Sequence, residues 1–280
     1  MQFGDSATAP LYVITRSSLR NTVVSPKRDA QTVSIICFSG SSRTPEPVLW
    51  LYFFYYFYPM QIAENIRQLK QSIPPNVRIV AVSKTVPESS IMEAYHIGHR
   101  LFGENRVQDL IKKQANLPAD IEWHMIGHLQ SNKVKYLAPF ISLIHSVDNA
   151  DLLSVINREA MKSKRIISCL LELMIAKEAT KYGLTLQNAT EILSSPEFRL
   201  MENVRITGLM GMATFTDDTA VVRSEFHYLA TCFKQIKADF FGNDPSFCEL
   251  SMGMSGDFRT ALDQGATLLR IGTLIFGSRT

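Results

Sequence analysis

The chain has 280 residues, 46% of them hydrophobic and 20% charged, with a net charge of +3. This is ordinary globular composition. No block of five or six like charges occurs, which argues against a nucleic-acid arm or a polybasic membrane patch. Cys37, Cys169, Cys232 and Cys248 are far apart and form no CxxC pair, so they read as reduced thiols of a cytoplasmic protein rather than zinc ligands.

Residues 1–59 differ from the rest. They are rich in Ser, Thr, Pro and Arg and end in the apolar run Val48–Tyr58. That run is too short to span a bilayer, which takes about 20 residues. It lies too far from the terminus for a signal peptide. A membrane anchor and a poorly ordered extension are alternatives. The favoured reading is an unstructured extension of translated upstream sequence, with the biological start at Met60 and a barrel over residues 60–280.

From Met60 onward, short apolar runs alternate with helical periodicity. Ile62, Ile66 and Leu69 open with helical spacing. The runs are 77–84, 100–103, 122–126, 143–147, 166–173, 206–210, 247–251 and 267–271. Helices are expected near 88–97, 107–114, 132–137, 150–163, 186–194, 220–238 and 257–264. Parallel neighbours need crossover helices, and eight strand–helix steps predict an α/β fold closed into a single-domain (β/α)₈ TIM barrel. A doubly wound open sheet is the alternative. In a barrel, chemistry sits where strands end and βα loops begin.

Lys84 ends the first run, above a mostly apolar floor. A lysine there loses hydration, its pKa falls, and its neutral amine can attack an aldehyde; a solvated strand-end lysine is the plain alternative. Arg270-Ile271-Gly272-Thr273 ends the eighth run. Its glycine lets a ligand approach, and the amides that follow can cradle phosphate. Ser251-Met252-Gly253-Met254-Ser255-Gly256-Asp257 ends the seventh. Phosphate sites in barrels often lie after these two strands. Asn105 follows the second run and His124 lies within the third. A lone strand histidine is more often a core group than a catalyst. No metal-ligand cluster, GxSxG elbow or P-loop is present.

Taken in order, these motifs resemble the YggS/PROSC family of pyridoxal phosphate (PLP) homeostasis proteins. The matching segments are Val80–Lys84, Phe102–Asn105, Trp123–Gly127, Leu129–Lys133, His145–Asp148, Thr180–Gly183, Gly208–Met212, Leu250–Ser255 and Arg270–Thr273. They span the chain from about Met60 and leave residues 1–59 uncovered. The resemblance implies a barrel related to the N-terminal domain of alanine racemases. It implies PLP held as a Schiff base on Lys84, with Arg270 facing the pyridine nitrogen. Ser251, Gly272 and Thr273 match phosphate-binding positions, and Asn105 and His124 lie near the ring. Leu173-Met174 departs from the more polar end of strand five in many relatives. A fixed cation beside the pyridine nitrogen disfavours ring protonation and weakens the electron sink.

Two functions follow. One is a carrier in PLP homeostasis, with PLP-dependent apo-enzymes as recipients. The other is a PLP-dependent amino-acid racemase. Racemisation needs acid/base groups on both faces of the cofactor. In alanine racemases the second is a tyrosine from a β-rich domain, which the chain from Met60 does not contain, so the carrier is favoured. Neither nucleic acid nor membrane is an expected partner. Monomer and weak dimer are both left open.

Overall fold

The computed structural model describes residues 60–176 and 183–278. The expectation for residues 1–59 falls outside them, as do positions 180–182 of the motif ending at Gly183.

The described chain runs α1 (Met60–Ser72), β1 (Arg78–Val82), α2 (Glu88–His96), β2 (Leu101–Glu104), α3 (Val107–Asn116) and β3 (Glu122–Met125). A 3₁₀ turn (Ser131–Lys133) leads into α4 (Val134–Leu137), β4 (Leu143–Val147), α5 (Ala150–Lys162) and β5 (Ile167–Leu173). There follow α6 (Leu186–Ser194), α7 (Pro196–Arg199), β6 (Val204–Gly211), α8 (Thr219–Ile236) and β7 (Glu249–Ser251). The chain closes with α9 (Phe258–Asp263), β8 (Leu268–Ile271) and α10 (Thr273–Phe276). All eight strands are parallel and form a closed barrel in sequence order. The pairing of β1 with β8, Val80 opposite Arg270, rules out the open-sheet alternative.

The helices begin where side chains can satisfy their free N–H groups. Asn149 accepts from Leu152 N at the start of α5, and Asp218 accepts from Ala220 N and Val221 N at the start of α8. Two short helices were not apparent from periodicity. Ser195 caps α7 with Pro196 in its first turn, and α10 follows Gly272 directly. Neither is long enough to show a period. Likewise β7 begins at Glu249 instead of Phe247, and Phe247 packs against Phe233 and Phe241 outside the sheet.

Strand alternation divides the core. Ile79, Ala81, Phe102, Trp123, Met125 and Ile144 face the helix layer. Val80, Val82, Leu101, Ile126, Leu143, Leu170, Met210 and Leu268 fill the barrel interior. Successive side chains of a strand point to opposite faces, and Lys84 follows β1 in the turn that leaves its C-terminal end. Ser83 shares the helix-side parity of Ala81. No helix of the described residues is long and apolar enough to cross a membrane. Cys169, Cys232 and Cys248 are free thiols.

Candidate functional site

The C-terminal mouth of the barrel gathers the strand ends. Lys84 is half-buried and lies just beyond β1. Thr85 follows it in the left-handed region (φ 63°) and donates its hydroxyl to Lys84 O at 2.6 Å. A β-branched residue is strained there, so the chain turns sharply beneath the lysine. Asn105 leaves β2 on the next strand, and none of the hydrogen bonds among the described residues uses its amide. Gly127 packs directly against it. A Cβ at Gly127 would stand 2.5 Å from Asn105 O, so glycine permits the third strand end to approach the second.

Across the β1–β8 seam, Arg270 is 5% exposed. Its Nη1 donates to Ser251 O (2.9 Å) and Ser251 Oγ (2.7 Å), and its Nη2 donates to Gly211 O (2.9 Å). Among the described residues it forms no ion pair. A buried guanidinium bound only to neutral acceptors keeps the capacity to meet another acceptor or an anion. Burial lowers its pKa to about 10, against the opposing pull of Glu172 and Asp257.

Ser251 Oγ also lies 2.9 Å from His145 Nδ1, and His145 Nε2 lies 2.9 Å from His124 Nδ1. Arg270 can only donate, so Ser251 accepts from it and passes its own proton to His145 Nδ1. His145 Nε2–H then donates to His124 Nδ1, and His124 keeps its proton on Nε2. We assign this tautomer order because it uses each proton once. Both histidines are neutral. Burial, then Arg78, holds His124 down at about 3. Burial, then the charges of His124, Arg270 and Arg78, holds His145 well below the ordinary histidine range. The string ends at the opposite mouth. There His124 lines a cavity of about 170 Å³ with Arg78, Glu122, Thr207 and Glu249.

The loops after β7 and β8 meet at the C-terminal mouth. Leu274 N donates to Ser255 Oγ at 3.4 Å, and Thr273 opens α10. The first amides of a helix have no intrahelical acceptor, so Thr273 offers a free donor beside Ser255. Gly253 (φ 90°) lets the β7 loop pack on α9, since a Cβ would lie 2.6 Å from Ala261 Cβ.

The structure therefore brings Lys84, Asn105, Arg270, Gly272 and Thr273 to one mouth. The two other expected residues are engaged below it. The sequence places Ser251 among phosphate donors, whereas its hydroxyl is taken by Arg270 and His145, and Ser255 is the serine that reaches α10. The sequence places His124 near a cofactor ring, whereas it lies deeper, joined to Arg270 through His145 and Ser251. Met174, in the departure noted at strand five, is 39% exposed. Sequence reasoning passed over Glu172, 4% exposed at the end of β5. Burial raises its pKa to about 7, with Arg270 lowering it and Asp148 raising it. A glutamate inside the apolar run Ile166–Leu173 was the available signal. Among the described residues no His/Cys/Asp/Glu group is placed to hold a metal.

These features define a (β/α)₈ barrel with a lysine and a buried arginine on adjoining strands at its C-terminal mouth. The family described as alanine racemase, N-terminal domain, matches residues 59–280. The chain belongs to that family. It is 39% identical over 204 residues to the pyridoxal phosphate homeostasis protein of Aquifex aeolicus, covering 72% of this chain and 87% of that one. It is 37% identical over 213 residues to the protein of the same name from Synechocystis, covering 74% and 94%. Its fold is similar to PipY of Synechococcus elongatus, solved with PLP bound (TM-score 0.70, 37% identity, 78% of this chain and 100% of PipY). Alanine racemase of Bartonella henselae shares the fold at TM-score 0.60 and 17% identity, over 79% of this chain and 61% of that one.

Proposed function

We propose that this chain binds PLP at the C-terminal mouth of the barrel, with Lys84 as the Schiff-base lysine, and serves PLP homeostasis by holding the cofactor and passing it to PLP-dependent apo-enzymes. The observation that carries the reading is the placement of Lys84 and Arg270. Val80 pairs with Arg270, and Lys84 follows the end of β1 by two residues, so lysine and arginine sit on adjoining segments at the same end of the barrel.

The donor set fits the cofactor. Arg270, with its open hydrogen-bonding capacity, suits an unprotonated ring nitrogen. The relay of Ser251, His145 and His124 holds that guanidinium from below. Asn105 offers an unused amide beside Lys84. Gly272, Thr273 and Ser255 suit a phosphate. PLP supplies an aldehyde with which a primary amine condenses, releasing water. The carrier role rests on relatives that share more than a third of their residues with this chain over most of their length. The racemases share the fold alone.

Absorbance of the purified protein with added PLP, before and after borohydride, tests the reading. A phosphopyridoxyl group located on Lys84 by mass spectrometry is the expected result, and Lys84→Ala removes it. An unmodified, colourless protein would overturn the reading. Incubation of the loaded protein with L-alanine separates the alternatives, because loss of optical activity would make it a racemase.

A further inference from the structure

Behind the strand that presents Lys84 lies a charged cluster that the site itself does not use. Glu104 ends β2 on the helix side of the sheet and is fully buried. Lys113 projects from the inward face of α3, where Val107 and Leu110 are its buried companions. Lysine is rarely buried without a partner, and here it has two. Its Nζ donates to Glu104 Oε1 at 2.6 Å and to Ser83 O at 2.7 Å. Ser83 Oγ donates to the same carboxylate oxygen at 2.7 Å. Glu104 Oε2, equally buried, has no hydrogen-bond partner among the described residues.

The carbonyl that Lys113 grips belongs to the peptide joining Ser83 to Lys84. That carbonyl also accepts from Val86 N at 2.9 Å, and Ser83 N donates to Gly103 O at 3.0 Å. Lys84 therefore sits between a peptide fixed from behind and the left-handed Thr85. A buried ion pair is weak ground for stability, since apolar replacements of both partners are often neutral or better. A carboxylate left with one orphaned oxygen is weaker still. The visible consequence of this pair is the fixed direction of one peptide.

We propose that the buried Glu104–Lys113 pair is the positioning device of Lys84, fixing from the helix side the peptide from which the lysine enters the barrel mouth. The inference rests on the reading of Lys84 as the Schiff-base lysine. Lys113 makes no contact with the cofactor and acts through the Ser83 carbonyl. Condensation joins Lys84 Nζ to the aldehyde carbon and expels the aldehyde oxygen as water. Its rate depends on the approach of the amine, and small misplacements in such encounters are costly.

The test compares the parent chain with Lys113→Met and with the double variant E104L/K113M, which leaves no unpaired buried charge where the single variant fails to fold. Four quantities are measured: thermal unfolding, hydrogen exchange of the 83–86 segment without ligand, affinity for pyridoxine 5′-phosphate, and the rate of borohydride-trappable attachment at saturating PLP. Pyridoxine 5′-phosphate lacks the aldehyde and reports the pocket alone. In the double variant we expect unfolding and pyridoxine 5′-phosphate affinity to hold, exchange at 83–86 to rise, and attachment to slow about tenfold or more. Equal losses in pyridoxine 5′-phosphate binding and attachment would make the pair merely structural and overturn the proposal. An unchanged attachment rate or unchanged exchange would overturn it as well. If the parent is never trapped on Lys84, the Lys84 reading fails by that result alone, while the exchange experiment still decides whether the clamp exists.

Discussion

The Arg270 guanidinium donates to the Ser251 hydroxyl over 2.7 Å, and among the described residues that hydroxyl is the hydrogen-bonded link between the arginine and the His145–His124 pair. Ser251→Ala removes it while Arg270 keeps Ser251 O and Gly211 O. His145 Nδ1 then loses its partner. Leaving a buried polar group unsatisfied costs about 1–3 kcal/mol, and that is the expected loss in a urea unfolding titration. With PLP bound, the freed guanidinium should also displace the visible absorbance band of the cofactor. An unchanged band would mean that Arg270 does not touch the ring.

The relay makes the fold sensitive to acid. His124 has an ordinary pKa of 6.5 and is held at about 3 in the fold. The unfolded chain therefore binds a proton that the native state refuses. Stability from this group is complete above pH 6.5 and falls as pH drops toward 3. At pH 4 the loss amounts to roughly 3 kcal/mol. His124→Gln should make this limb of the stability–pH curve shallower, read from urea midpoints across pH, with the slope that remains carried by the other buried histidines, His145 and His99. A variant with the parent slope would show that His124 is not the group being titrated.

The barrel was legible because its strands are short apolar runs at regular intervals, each followed by a helical period. Lys84, Asn105 and Arg270 could be singled out because strand ends are where a barrel places its chemistry. The internal wiring was not legible. Ser251 and His145 are neighbours only because β4 and β7 face each other across the interior, 106 positions apart in the chain. Glu104 and Lys113 lie close in sequence, but nothing in the text Phe102-Gly103-Glu104-Asn105 says that the carboxylate turns away from the mouth. That depends on the parity of β2, which the closed sheet fixes.

Glu172 imposes a slope opposite to that of His124. Its ordinary pKa of 4.5 rises to about 7 in the fold, chiefly by burial. The native state keeps the proton that the unfolded chain gives up. Stability from this group is complete below pH 4.5 and is lost as pH climbs through 7. The loss is about 3 kcal/mol once the group is ionised in both states. Between pH 4.5 and 6.5 Glu172 opposes the buried histidines and offsets part of their slope, so the parent curve should rise less steeply there than that of a chain without the carboxyl. Glu172→Gln should leave only the histidine limb, with stability rising steadily toward neutrality. A variant curve with the parent slope would remove Glu172 from the account.

A last prediction concerns the strand that carries the Gly211 carbonyl. Between β5 and β6 the register slips, Cys169 pairing with Ile206 and Leu170 with Gly208, so Thr207 is the extra residue. A bulge bends its strand locally, and here the next residue, Gly208, lies hard against the β7 backbone. A Cβ at Gly208 would overlap the Glu249 carbonyl, and the offending atom is backbone that cannot swing aside. Gly208→Ala should force β6 and β7 apart, breaking the Leu209–Leu250 and Met210–Ser251 pairings. Ser251 and the Gly211 carbonyl would then no longer converge on Arg270. We expect a destabilisation above about 4 kcal/mol, beyond the usual range of point changes. Circular dichroism and yield of soluble protein measure it. A soluble Gly208→Ala protein with parent stability would mean that β6 and β7 are spaced more widely than described. Gly98→Ala is the matched control. Gly98 has open space around it at φ 85°, so its cost should be confined to the backbone strain of one residue, about 1–3 kcal/mol.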